Sequence, residues 1–156
     1  MSTADSTILR LERTFHAPPE AVFDAWTHPE VLRRWWAADP DWSTPVAEVD
    51  LRVGGRYRLS MHPPDGGAAH TVAGTYLEVR RPERLVYTWA WEQEDGEMGP
   101  QTTVTVRFCA EDAERTTVVI EHAGLSGESR ERHGAGWSAC LASLERAVFP
   151  EVARRA

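Results

Sequence analysis

The chain has 156 residues and a formal net charge of −7, and 42% of its residues are hydrophobic and 26% charged, as in one globular domain with a real core. The acidic balance argues against binding to nucleic acid or to an anionic membrane surface, since both need clustered cations. Seven tryptophans are many for a chain of this length.

The sequence predicts no targeting signal. No apolar run reaches the roughly 18 residues of a membrane-spanning helix, and residues 1–7 lack the basic and apolar regions of a signal peptide. Cys109 and Cys140 fall in apolar patterns, which predicts reduced, buried thiols. We therefore expect a cytoplasmic protein with a single domain at residues 7–149 and flexible termini at 1–6 and 150–156.

The first part of the chain predicts one strand and two short helices. Apolar and polar residues alternate over residues 7–15, which is typical of a half-buried strand, although Arg13 falls on the apolar side. Pro18-Pro19-Glu20 and His28-Pro29-Glu30 each carry the signals of a helix start. Residues 37–45 are rich in Pro and Asp and predict an irregular connection.

Strands joined by turns are predicted next. They cover residues 46–53, 56–62, 71–80, 85–92, 103–108 and 117–122. The turn signals between them include Gly54-Gly55, the loop 63–67 and the acidic loop 93–100. In strand 71–80 apolar residues fall at both odd and even positions, so the pattern does not show which face points inward. Consecutive strands with short connections predict an antiparallel meander.

A long C-terminal helix is predicted over about residues 129–148. An apolar stripe at i, i+4, i+7 and i+11 runs along it, formed by Trp137, Leu141, Leu144 and Val148. Such a segment forms a rod of roughly 30 Å. A rod of that length can cover one face of the predicted sheet.

Small residues interrupt the first half of this helix. Gly134 and Gly136 each weaken a helix by roughly 1 kcal/mol relative to alanine. Two interpretations stay open: the backbone packs closely against a strand, or the glycines leave space for a ligand beside Trp137. In the second case, the half of the helix that begins at Leu141 should be the tightly packed one.

Few residues suggest catalysis. The six histidines show no spacing typical of a metal site, and neither cysteine has an activating partner, so we expect no metal or cofactor. Asp39, Asp41 and the loop 93–100 are interpreted as solvated acidic segments. His122, on the apolar strand face, could be a satisfied core residue, a polar group that orients a ligand, or a general base. His133 could face the same opening or lie on the helix surface.

Aromatic side chains share the apolar parity of several strands. They either fill a packed core or line a cavity that is apolar with a few polar points. In a cavity, His122 and Tyr87 would be the polar anchors. The candidate ligand-binding residues are Trp36, Tyr57, Met61, Tyr87, Trp89, Trp91, Phe108, His122 and Trp137.

A series of short motifs runs through nearly the whole chain in a specific order. They are residues 17–26 followed by His28-Pro29-Glu30, Trp35-Trp36, residues 54–58, 74–79, 82–89 and 117–125, and Gly136-Trp137 with Leu141 and Leu144. This order resembles the START-like (SRPBCC, birch-pollen-allergen-like) superfamily. Within it, the chain is most similar to homologues of the activator of the 90-kDa heat-shock-protein ATPase.

The resemblance implies an α+β helix-grip fold. In this fold a curved antiparallel sheet of about six to seven strands wraps around the long C-terminal helix, with two short helices after the first strand. It also implies an elongated apolar cavity between helix and sheet.

Three functions stay open. The leading hypothesis is binding of a small hydrophobic molecule, lipid-like or aromatic, in the cavity. The first alternative is an interaction module in stress response, with a chaperone as partner. The second is a polyketide cyclase-like or hydratase-like enzyme with His122 as acid and base, although a non-enzymatic role is favoured. Monomer and homodimer are both compatible with the pattern.

Overall fold

Seven antiparallel strands curl into a half-barrel around one long helix. A computed structural model describes residues 8–37 and 41–150. The elements are β1 (Leu9–Phe15), α1 (Pro19–Thr27), α2 (Pro29–Trp35), β2 (Ser43–Val49), β3 (Arg56–His62), β4 (His70–Arg80), β5 (Arg84–Trp91), β6 (Thr102–Asp112), β7 (Arg115–Ala123) and α3 (Gly127–Ala147). The strands are ordered β1-β7-β6-β5-β4-β3-β2. The α+β helix-grip fold is confirmed.

Some predicted features lie outside the described residues. They are Asp39 of the solvated acidic segment, residues 1–6, and residues 151–156 of the expected flexible C-terminus. Within residues 8–37 and 41–150, no helix is long and apolar enough to cross a membrane.

The two short helices start where the sequence predicts. Pro19-Glu20 opens α1 and Pro29-Glu30 opens α2. Proline suits the first helical turn because its φ is fixed at a helical value and because a backbone N–H at this position would have no partner within the helix. The glutamate complements the helix dipole. The helices bury Trp26 and Trp35, whose ring centroids lie 5.0 Å apart. Together they cover one end of the inner sheet face.

Helix α3 is fixed at its start and along its length. Ser126 caps it, with the hydroxyl oxygen accepting from the backbone N–H of Ser129 at 3.3 Å. Near its end, Glu145 accepts from Arg13 of β1, with Nε and Oε1 3.0 Å apart. This ion pair accounts for a charged residue on the apolar side of β1. Leu144 is fully buried beneath the helix.

A bulge explains the mixed parity of β4. The register with β5 shifts between Tyr76 and Glu78, so one extra residue lies on β4. After the shift, Val79 pairs with the fully buried Leu85, whereas Leu77 is 50% exposed. The inward face therefore changes parity within a single strand.

Both ends of β2, the end of β6 and one cysteine differ from the predictions. Strand β2 begins at Ser43, within the predicted irregular connection, rather than at residue 46. Strand β2 ends at Val49 rather than at residue 53, because the chain turns at Gly54, whose φ of +88° is left-handed. Strand β6 continues to Asp112, past the predicted end at residue 108. Cys140 is buried as expected, but Cys109 is exposed because it follows Phe108 onto the outer face of β6.

Candidate ligand-binding site

A cavity of about 760 Å³ opens between the first half of α3 and the inner sheet face. Small-molecule sites typically have volumes of about 300–1,000 Å³. Its exposed members, such as His70 and Arg132, mark the mouth. The lining residues are Trp36, Trp42, Met61, His70, Trp89, Trp91, Pro100, Thr102, Gly124, Leu125, Ser126, Ser129, Arg132, His133, Gly136, Trp137 and Cys140.

The predicted ligand-binding residues divide between this cavity and the core. Those that line the cavity are Trp36, Met61, Trp89, Trp91 and Trp137. Tyr57 and Tyr87 pack together with ring centroids 5.2 Å apart, beside a separate void of only about 20 Å³. Phe108 packs edge-to-face on Phe23 of α1 at 5.3 Å. These three lie where α1 and α2 cover the sheet, and His122 lies one layer behind the cavity wall.

His122 is held in a chain of hydrogen bonds. Trp137 Nε1 donates to His122 Nδ1 at 3.1 Å, so Nδ1 carries no proton. The ring proton is therefore on Nε2, which donates to Thr102 Oγ1 at 2.8 Å. The Thr102 hydroxyl donates in turn to the backbone carbonyl of Trp89 at 3.2 Å. Both ring nitrogens are thus bonded within the protein.

The surroundings of His122 keep it neutral. Burial, and to a lesser degree the neighbouring His133, lower the pKa of His122 to about 3. A general base needs an accessible nitrogen and a pKa near the working pH. His122 has neither, so the geometry favours the interpretation of a satisfied core histidine.

His133 connects α3 to two tryptophans of β5. Its Nδ1 donates to the backbone carbonyl of Ser129 at 2.8 Å. Its unprotonated Nε2 accepts from Trp91 Nε1 at 3.0 Å and from Trp89 Nε1 at 3.3 Å. Burial lowers the pKa of His133, the bond to Ser129 opposes this, and the charge of Arg132 lowers it further. The neutral imidazole therefore holds both indole rings in place.

Several lining residues fall outside the predicted set. The rings of Trp42 and His70 stack at the mouth, 5.5 Å apart and inclined by 20°. Trp42 lies in an irregular connection and His70 next to a hairpin loop, where strand parity carries no information. His133 had a usable signal, because it precedes Trp137 by four residues and so shares its helix face. Among the described residues, no group of His, Cys, Asp or Glu could hold a metal ion.

The two glycines of α3 have different surroundings. A Cβ at Gly134 would lie 3.3 Å from Leu9 Cδ1, so this glycine allows close packing of the helix on β1. A Cβ at Gly136 would meet nothing within 4 Å, and Gly136 lines the cavity. Side-chain burial does not separate the two halves of the helix, since Trp137 is 3% and Leu141 2% exposed. Close backbone packing on a strand thus applies to Gly134, and open space beside the helix applies to Gly136.

Known structures share this fold over nearly the whole chain. A protein from Chromobacterium violaceum is 27% identical, with a TM-score of 0.80, covering 93% of this chain and 99% of that one. An AHSA1-like protein from Aeromonas hydrophila is 31% identical, with a TM-score of 0.70 and coverages of 90% and 92%. An HSP90 activator from Plasmodium falciparum is 25% identical, with a TM-score of 0.69 and coverages of 92% and 98%.

A family model gives the assignment. Residues 16–148 match the model described as Activator of Hsp90 ATPase homolog 1-like protein. Among curated proteins, no match is found. The family match, the solved structures and the helix-grip fold agree with the resemblance that the sequence motifs carry. The chain therefore belongs to the Activator of Hsp90 ATPase homolog 1-like family, within the SRPBCC superfamily.

Proposed function

We propose that the protein binds a small hydrophobic molecule, lipid-like or aromatic, in the cavity between α3 and the sheet. The observation that carries this proposal is the cavity itself, which has a volume of about 760 Å³ and is lined by five tryptophans. Apolar walls with a few polar groups are typical of small-molecule sites. Gly136 adds support, since a side chain at this position would take up the open space.

Contacts within the protein hold the tryptophans of the cavity wall in position. Trp89 packs on Trp137 at 5.2 Å and on Trp91 at 5.4 Å between ring centroids. His133 and His122 hold all three indole N–H groups. A preorganised site loses less conformational freedom when it binds, so more of the contact energy remains as affinity.

Thermal unfolding in the presence of a library of lipophilic and aromatic compounds tests the proposal. A ligand at 100 times its Kd should stabilise the protein by about 2.7 kcal/mol, which raises Tm by roughly 5–10 °C for a domain of this size. Gly136→Leu should abolish the shift because its side chain occupies the cavity. Ala135→Leu places the same leucine side chain at an exposed neighbouring position and should keep the shift.

Two results would contradict ligand binding in this cavity. One is the absence of any stabilising compound class. The other is a thermal shift that Gly136→Leu and Ala135→Leu affect equally, since the two variants differ in whether they fill the cavity.

A second function, stimulation of a chaperone ATPase, is favoured by similarity to the HSP90 activator from Plasmodium falciparum. The chaperone would contact the outer surface of the same fold. An ATPase assay with the Hsp90-type chaperone of the same organism tests it, and stimulation should survive Gly136→Leu, which changes the interior. An unchanged ATPase rate at saturating protein would exclude this function.

We do not propose catalysis by His122. Its Nδ1 accepts from Trp137 and its Nε2 donates to Thr102, so neither nitrogen is available to a substrate.

A further inference from the structure

The cavity is lined by aromatic rings, whereas its mouth carries a charged side chain. Five of the seven tryptophans line it, at positions 36, 42, 89, 91 and 137. The indole N–H groups of Trp89 and Trp91 both point to His133, and that of Trp137 points to His122. These three rings therefore offer a ligand their π surfaces rather than their hydrogen-bond donors. Such walls favour the flat face of an aromatic ring system.

The mouth carries a single charge. Among the described residues that line the cavity, Arg132 alone has a formal charge, and it lies one turn before Gly136 on α3. The hydroxyl side chains of Ser126 and Ser129 line the same side. A guanidinium group with hydroxyl neighbours suits a carboxylate or sulfonate, because its N–H groups match two oxygens of such an anion.

Arg132 is free to take an external anion. It forms an ion pair with Glu128, at 3.7 Å between Nη1 and Oε1, and the two side chains are 67% and 87% exposed. Exposed pairs of this kind are weak and easily exchanged. The charge of Arg132 is also one cause of the lowered pKa of His133, which lines the same cavity. The net charge of −7 opposes an anion only weakly, since charges more than about 8–10 Å away are screened.

We propose that the ligand is an aromatic anion, with its rings against the tryptophans that line the cavity and its carboxylate or sulfonate at Arg132. This inference rests on the proposed function and adds the chemical class of the ligand. A neutral lipid would leave Arg132 only its weak, exposed pair with Glu128, and a cationic aromatic amine would place a like charge beside it. The polarity of the site thus sets an orientation, with the apolar end inside and the acidic end at the mouth.

Two dyes with the same ring system provide the test. Anilinonaphthalene sulfonate carries an anion, and N-phenylnaphthylamine has the same rings without it. Both become fluorescent in apolar surroundings, so titration of each gives a Kd. We expect the wild-type protein to bind the sulfonate about tenfold more tightly than the neutral dye. Arg132→Gln should remove that difference by weakening the sulfonate alone.

Matched variants distinguish the aromatic-anion proposal from the broader proposal of hydrophobic binding. Arg146→Gln removes an exposed arginine near the other end of α3 and should leave both affinities unchanged. Gly136→Leu should weaken both dyes. If both dyes bind equally and Arg132→Gln changes neither Kd, the aromatic-anion proposal is overturned and hydrophobic binding stands. Equal losses for Arg132→Gln and Arg146→Gln would also overturn it, as would failure of both dyes to bind. The broader proposal of hydrophobic binding fails only when the thermal-unfolding library also contains no stabilising compound.

Discussion

Replacing Gly136 by alanine should stabilise this protein. Alanine is better than glycine in a helix interior by about 1 kcal/mol. The new Cβ at Gly136 would meet nothing within 4 Å, so no steric cost offsets this gain. For a domain of this size, 1 kcal/mol raises Tm by about 2–4 °C. The same substitution at a glycine that permits close packing would not give the full gain.

Gly134 provides that comparison on the same helix. A Cβ there would lie 3.3 Å from Leu9 Cδ1, closer than an ordinary van der Waals contact. The end of a leucine side chain can move, so we expect Gly134→Ala to gain less than about half of the 1 kcal/mol. Both values follow from urea unfolding monitored by circular dichroism. If Gly136→Ala is destabilising, or gains less than Gly134→Ala, the space beside Gly136 is not open and the reasoning fails.

Three further substitutions or conditions test the interior. The pKa of His122 is about 6.5 in the unfolded chain and about 3 in the folded protein. Between pH 3 and pH 6.5, the unfolded state therefore binds one more proton at this residue than the folded state does. His122 should therefore lower the free energy of unfolding by about 1.4 kcal/mol for each unit that the pH falls below 6.5 in urea titrations, and His133, whose pKa is also lowered, adds to this slope. His122→Gln should remove the share of His122, and a flat wild-type profile would contradict the prediction. Trp137→Phe leaves the buried Nδ1 of His122 without a donor and should cost about 1–3 kcal/mol in the same assay, whereas an unchanged midpoint would refute the hydrogen bond. Gly74→Ala places a Cβ 1.9 Å from the backbone oxygen of Thr88, so we expect the free energy of unfolding to fall by about 3 kcal/mol. If the variant is as stable as the wild type, the strands can separate there and the prediction is wrong.

Periodicity predicts most of this fold. The stripe that contains Leu141 and Leu144 gives the long helix, and proline followed by glutamate gives both short ones. The bulge after Tyr76 is invisible to periodicity, because one extra residue shows only as mixed parity. The end of β2 depends on a turn whose closure requires tertiary contacts.

The site is predicted less completely than the fold. Strand parity shows which face of the sheet a residue lies on, but not which end of that face α1 and α2 cover. Tyr57 and Trp89 therefore look equivalent in the sequence, although Trp89 alone of the two lines the larger cavity. Trp42 and His70 come from irregular segments, and their stacking at the mouth depends on how distant loops meet.

Helix α3 carries both closely packed core residues and positions that border the cavity, and this affects how the protein can evolve. Truncating Leu141 or Leu144 to alanine would cost about 2–5 kcal/mol, out of a typical total of about 5–15 kcal/mol. Changes at Gly136 or Arg132 touch open space or solvent, where substitutions typically stay within about 0.5–1 kcal/mol. Under the proposed function, ligand preference can therefore drift over one turn of one helix while the fold persists. A scaffold that is inherited unchanged would in that case be compatible with many different small molecules.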